Sequence, residues 1–153
     1  PIQGERRPGS RGDGGRRMAD QPKEGAVAAI KITMGELELL ADLNESDTAD
    51  TILAALPITG SASTWGDEIY FGIPVSADAE EGARAVVSKG ELAYWPPGSA
   101  FCIFWGATPA SRSPDEIRAA SEVNPLGQLR TVPVAELRAV GMGEAVLIEL
   151  AEE

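Results

Sequence analysis

Apolar and polar residues alternate in short stretches along most of the chain, the spacing of strands with one buried face. Ala28, Ile30, Ile32 and Met34 alternate with Ala29, Lys31 and Thr33. After Met34-Gly35, the residues Leu37, Leu39 and Ala41 alternate with Glu36 and Glu38, which predicts a hairpin folded about the glycine. The period then changes. Asn44-Glu45-Ser46-Asp47-Thr48 is a run of helix-capping types, and Ala49, Ile52, Leu53 and Leu56 follow at helical spacing up to Pro57. This predicts a short amphipathic helix laid against a sheet. Two strands are expected between Ile58 and Ile73, around Trp65-Gly66-Asp67. In the second, Ile69, Phe71 and Ile73 share one face while Glu68 and Tyr70 share the other. Residues 78–89 fit either a short helix stopped by Gly90 or a strand through the β-branched Val86 and Val87. Leu92 to Trp95 and Ala100 to Trp105 read as strands around Pro96-Pro97-Gly98, and residues 107–122 read as a long polar loop. A strand over 123–132, a short helix over 133–140 and a last strand through Val146, Ile148 and Leu150 complete the pattern. Seven or eight short strands with two or three short helices predict a mainly β fold, closed into a barrel or packed as a sandwich.

Composition divides the chain. A length of 153 residues suits one domain with a real core. Residues 1–25 are rich in Gly, Arg and Pro and nearly devoid of large apolar side chains, so they are expected to form a disordered basic tail ahead of a folded domain over 26–153. Met18 is a candidate natural start, with residues 1–17 then lying upstream of it. Five arginines against Glu5 and Asp13 leave +3 in residues 1–17, and the overall charge of −11 therefore places −14 on the remainder. A folded part this acidic repels phosphate backbones, which disfavours nucleic-acid binding by the domain.

The chain has no histidine and one cysteine, Cys102. Nucleophilic Ser-His-Asp and Cys-His systems, histidine bases and His- or Cys-built zinc sites are therefore ruled out, and no metal site is expected. Cys102 lies in the apolar run 100–105 with no basic neighbour in sequence, and reads as a buried, inert thiol. No apolar run approaches the ~20 residues that span a bilayer, and no secretory leader is recognisable, so the expectation is a cytoplasmic protein without membrane partners. Neither a phosphate-binding glycine loop nor a dinucleotide fingerprint occurs, so no cofactor is expected.

Three segments concentrate distinctive residues: Thr64-Trp65-Gly66-Asp67-Glu68-Ile69-Tyr70-Phe71; Gly90-Glu91-Leu92-Ala93-Tyr94-Trp95-Pro96-Pro97-Gly98 running into Phe101-Cys102-Ile103-Phe104-Trp105-Gly106; and Ser121-Glu122-Val123-Asn124-Pro125-Leu126-Gly127. Together they resemble the atypical cyclophilin-like family, small prokaryotic β-barrel proteins, largely uncharacterised, that share a fold with the peptidyl-prolyl isomerases. The segment from Thr48-Ala49 to Ala55-Leu56-Pro57 and the turn Gly106-Ala107-Thr108-Pro109 fit it as well. The resemblance runs from about Ile30 to Leu150. It implies a closed antiparallel barrel of about eight strands capped by two or three short helices, and it brings no substrate. True cyclophilins carry an arginine in a Phe-His-Arg string that hydrogen-bonds the twisting prolyl amide, a preorganised donor of the kind that lowers barriers. The matching region here is Trp65-Gly66-Asp67-Glu68, which supplies acids. The Gln-Gly-Gly string and the pocket histidine are also missing, so ordinary isomerase chemistry is not expected, unless Arg112 or Arg118 reaches the groove from the long loop.

The candidate ligand-binding residues are Trp65, Asp67, Glu68, Tyr94, Trp95, Arg112 and Asn124. Aromatic side chains beside polar ones suit a side groove for a small molecule or peptide. Adjacent strand residues point to opposite faces, so Asp67 and Glu68 are not expected to act as a close catalytic pair. Each candidate also has a plainer role: core packing for the aromatics, turn capping for Asp67, a bulge or turn for Asn124-Pro125. A binding barrel without a catalytic set is the leading expectation. A proline isomerase with a displaced arginine, or a structural module acting as monomer or homodimer, are the alternatives.

Overall fold

In the computed structural model, which describes residues 26–151, the first hairpin forms where the alternation places it. Strand β1 (Ala26–Met34) pairs antiparallel with β2 (Leu37–Asn44) around Gly35. Residues 1–25 and 152–153 lie outside the described part, and with them the expected tail.

Helix α1 (Asp47–Ala55) starts at Ser46, whose hydroxyl accepts the Ala49 amide at 3.2 Å, and its acidic first turn suits the positive end of the helix. It buries Thr48, Ala49 and Ile52. Three short strands follow, β3 (Ile58–Ser61), β4 (Ser63–Thr64) and β5 (Glu68–Gly72), where the alternation suggested two. The ambiguous segment 78–89 resolves into strand: β6 (Arg84–Val87) forms and no helix does, as its β-branched end favours. Strands β7 (Glu91–Trp95) and β8 (Ala100–Phe104) flank a 3₁₀ turn at Pro96–Gly98.

The main departure from expectation is β9 (Ile117–Leu129), thirteen residues long. It takes in the last part of what reads as a polar loop and stops short of residue 132. Its polar residues Ser121 and Glu122 face solvent, which disguised it. Helix α2 (Val134–Arg138) and β10 (Ala145–Leu150) close the chain.

The strands form an antiparallel sheet in the order β3-β10-β1-β2-β9-β7-β8-β5-β4, with β6 paired to β9 off this path. The path begins and ends on strands consecutive in sequence, β3 and β4, yet no ladder joins them among the described residues. The expected closed barrel is therefore a curled sheet left unclosed at that seam. The backbone explains it: between these strands, the Ala62 amide donates to Glu144 O (2.9 Å) and the Ala62 carbonyl accepts from the Gly143 amide (2.7 Å), so both groups go to the turn before β10.

Two apolar clusters result. The interior holds Ile30, Ile32, Leu43, Ile58, Ile69, Phe71, Leu92, Phe101 and Ile148 among others, with the facing rings of Phe71 and Phe101 5.3 Å apart. A second cluster, Val87, Ala93, Ala100, Cys102, Phe104, Ala119 and Val123, lies on the opposite face of β7 and β8. It exists because β9 serves three ladders. Its later residues pair with β7 and β2, while its earlier ones pair with β6 and fold over the outside of the sheet.

Candidate functional site

Strand alternation decides what faces the covered outer surface. On β5, Ile69 and Phe71 point to the interior, so Glu68 and Tyr70 point out. On β8 the outward residues include Cys102, which is registered between Tyr70 of β5 and Ala93 of β7. Trp95 ends the outward row of β7. Between this surface and β9 lies a hollow of about 210 Å³. Trp65, Tyr70 and Trp95 wall it, Glu68 and Cys102 sit on its sheet side, and Ala119, Ala120 and Val123 close it from β9.

Both tryptophans are held in place. Trp65 precedes Gly66, whose φ of +64° favours glycine, and a Cβ there would lie 2.9 Å from Thr108 Cα and from Pro109 Cδ. The turn is fastened by the Trp65 amide to Glu68 O (3.0 Å) and the Asp67 amide to Ala107 O (3.0 Å). Trp95 donates its indole N–H to Ser121 Oγ of β9 at 2.7 Å. A Cβ on Gly98 would come within 2.8 Å of the Trp95 ring, so the absence of a side chain there makes room for the indole.

Glu68 is 6% exposed, and burial pushes its carboxyl up to about 7, partly offset by a hydrogen bond with the Cys102 thiol. The thiol itself is raised well above its usual range, first by burial and then by the Glu68 charge. Cys102 is thus a protonated partner of the carboxyl and not a nucleophile. The hollow therefore combines aromatic walls with one acid that exchanges its proton near neutrality. No lysine or arginine is among its lining residues.

Of the residues singled out in the sequence, Trp65, Glu68 and Trp95 come together here. The others do not line the hollow. Tyr94 is fully buried on the interior face, where its hydroxyl donates to Val75 O (2.7 Å) and accepts from the Ala77 amide (3.1 Å). Asn124, also fully buried, accepts from the Glu80 amide (2.8 Å) and donates to Asp78 O (3.0 Å) and Thr48 Oγ1 (3.2 Å). Thr48 in turn bonds the Glu80 carboxylate through its amide (2.9 Å) and its hydroxyl. Tyr94 and Asn124 thus clasp residues 75–80 to the fold.

Asp67 forms a two-pronged ion pair with Arg138 of α2, at 2.8 and 3.3 Å. Arg112 is exposed, and its backbone amide donates to Glu116. Arg118 pairs with Glu116 at 3.0 Å, and this partner holds the Glu116 carboxyl down at about 2.

Tyr70, Cys102 and the β9 residues Ala119, Ala120 and Val123 were not anticipated. Tyr70 was within reach, since it shares a strand face with Glu68. The β9 residues carry no chemical signal of their own. Among the described residues, no group of three or more His, Cys, Asp or Glu side chains is placed to hold a metal ion, and no helix is long and apolar enough to cross a membrane.

Comparison with known proteins places this geometry in context. A family model described as cyclophilin-like matches residues 28–149. The solution structure of the hypothetical protein AF2241 from Archaeoglobus fulgidus is similar at 38% identity and a TM-score of 0.71, covering 88% of this chain and 100% of that one. The structure of McbB in complex with tryptophan is similar at 14% identity and a TM-score of 0.57, covering 81% of this chain and 45% of that one, a likeness of fold alone. No curated protein matches the chain.

Proposed function

The chain belongs to the cyclophilin-like family, and from that premise we propose that it is a binding protein, taking a small molecule or a side-chain-sized part of a peptide into the hollow between β5, β8, β7 and β9. One observation carries this reading: Glu68, buried and titrating near neutrality, stands among Trp65, Tyr70 and Trp95. Buried carboxyls with raised affinity for a proton concentrate at functional sites. Aromatic walls with few polar groups are the usual lining of ligand sites. The size narrows the ligand, since pockets for drug-sized molecules run to about 300–1,000 Å³ and this one is about 210 Å³.

The same side chains argue against proline-isomerase chemistry through a displaced arginine. Stabilising a twisting imide needs a cationic or strong neutral donor aimed at it. Arg118 is engaged with Glu116, Arg112 is exposed, and neither is among the lining residues.

The test is a titration of a panel of small ring compounds and amines, read by tryptophan fluorescence and by thermal shift, since ligands that bind only the folded state raise its melting temperature. A saturable response that disappears in Trp95→Ala is expected. A panel in which no compound shifts either signal overturns the reading. In parallel, a protease-coupled assay on an X-Pro peptide is expected to give the uncatalysed rate.

A further inference from the structure

We infer that the hollow selects a compact organic ammonium, with the cationic nitrogen against Glu68 and the apolar remainder against the rings of Trp65, Tyr70 and Trp95. The inference rests on the binding reading above and names the class of ligand.

Three observations converge on a cation. The first is the pairing of aromatic rings with a single acid. Ring faces carry negative charge density and attract a cation lying over them, most strongly where water is excluded. The walls of this hollow are tryptophan, tyrosine and tryptophan, and its one carboxylic acid is Glu68. The second is the absence of competition from within. A buried carboxyl ordinarily finds a basic partner, as Glu91 does with Arg84 at 2.6 Å. Glu68 has the Cys102 thiol beside it, which supplies a hydrogen bond and no charge. When Glu68 ionises, its countercharge must come from outside the hollow's own lining. The third is the field of the molecule. Residues 18–153 carry −14, which concentrates cations near the surface and repels anions.

The volume limits the cation to a headgroup with a short tail or one ring. A peptide would enter only by such a group, a basic side chain or an amino terminus. The other titratable groups facing the hollow are Tyr70 from β5 and Cys102 from β8, while β7 and β9 contribute none to its lining. Glu68 is therefore the group on which charge selection turns.

The experiment compares phenethylammonium with 2-phenylethanol, which matches it in shape and lacks the charge, on the full chain at pH 8 and pH 5.5, by calorimetry and tryptophan fluorescence. The amine is expected to bind at least about tenfold more tightly than the alcohol at pH 8. The preference should shrink at pH 5.5, where Glu68 is protonated, and binding at pH 6.5 should release a proton to the buffer. Glu68→Gln should abolish the preference at both pH values. If that variant fails to fold, the pH comparison on the parent chain decides alone. Equal affinity of amine and alcohol at pH 8 overturns the ammonium inference and leaves the binding hollow standing. Failure of both to bind, while other compounds in the panel bind, overturns the ammonium inference alone. Failure of every compound overturns both.

Discussion

Replacing Glu68 with glutamine should make the protein more stable above neutral pH and remove part of its pH dependence. The carboxyl is 6% exposed and holds its proton to about 7, against 4.5 for an unperturbed group. Between those values the folded chain binds a proton that the unfolded chain has released, so stability must fall as pH rises. Every tenfold gain in proton affinity on folding corresponds to about 1.4 kcal/mol, which puts the full loss near 3 kcal/mol by pH 8. Below about pH 4.5 both states are protonated at this position and the loss vanishes. Glutamine fills the same space without a charge to bury. The variant should therefore match the parent, or fall about 1 kcal/mol below it through an imperfect hydrogen bond, at pH 4.5. At pH 8 it should exceed the parent by about 2–3 kcal/mol. Urea denaturation of both proteins at half-unit steps from pH 4.5 to 8 measures this. The remaining carboxylates contribute alike to both curves, so the difference between them isolates position 68. A flat difference curve, or one with the parent gaining on the variant as pH rises, contradicts a folded state that holds this proton to neutrality.

Other substitutions probe the supports of the site. Asn124→Ala removes three hydrogen bonds at a fully buried position and should cost on the order of 3 kcal/mol in urea denaturation, with faster hydrogen exchange at the Glu80 amide. Gly66→Ala forces a Cβ into a left-handed residue 2.9 Å from Thr108 Cα and should cost about 2 kcal/mol or more, read by the same denaturation and by a changed Trp65 environment in fluorescence. The Cys102 thiol, buried and held protonated, should resist iodoacetamide at pH 8 in the folded protein and react at the ordinary rate once urea unfolds it, measured by mass spectrometry.

Much of the fold was legible because alternation in strands is a local property. Ile30, Ile32, Leu39 and Ala41 are buried where their period puts them, and Ser46 caps the helix that its run of capping types announces. What failed was non-local. Whether β3 and β4 close a barrel depends on where the Ala62 backbone finds partners, and these lie in the turn before β10. The start of β9 was hidden because one of its faces is solvated and its buried residues are small. The candidate site divides the same way. Glu68, Trp65 and Trp95 were marked by type and position. Tyr94 and Asn124 were marked by type as well, yet pleat direction for one and three hydrogen bonds for the other make them fasteners of the 75–80 segment. Tyr70 carried its signal in parity with Glu68.

The sharing of β9 between the main sheet and β6 bears on how a guest would reach the hollow. Its first half contributes Ala119 and Val123 to an apolar cluster that shares no residue with the interior one, so lifting this half costs local contacts and the Trp95–Ser121 bond while the main core stays intact. On the proposed binding reading, a guest would enter and leave by this local opening without global unfolding. The residence time of such a guest would then follow the stability of the first half of β9, and changes there would alter dissociation without touching Glu68, Trp65 or Tyr70.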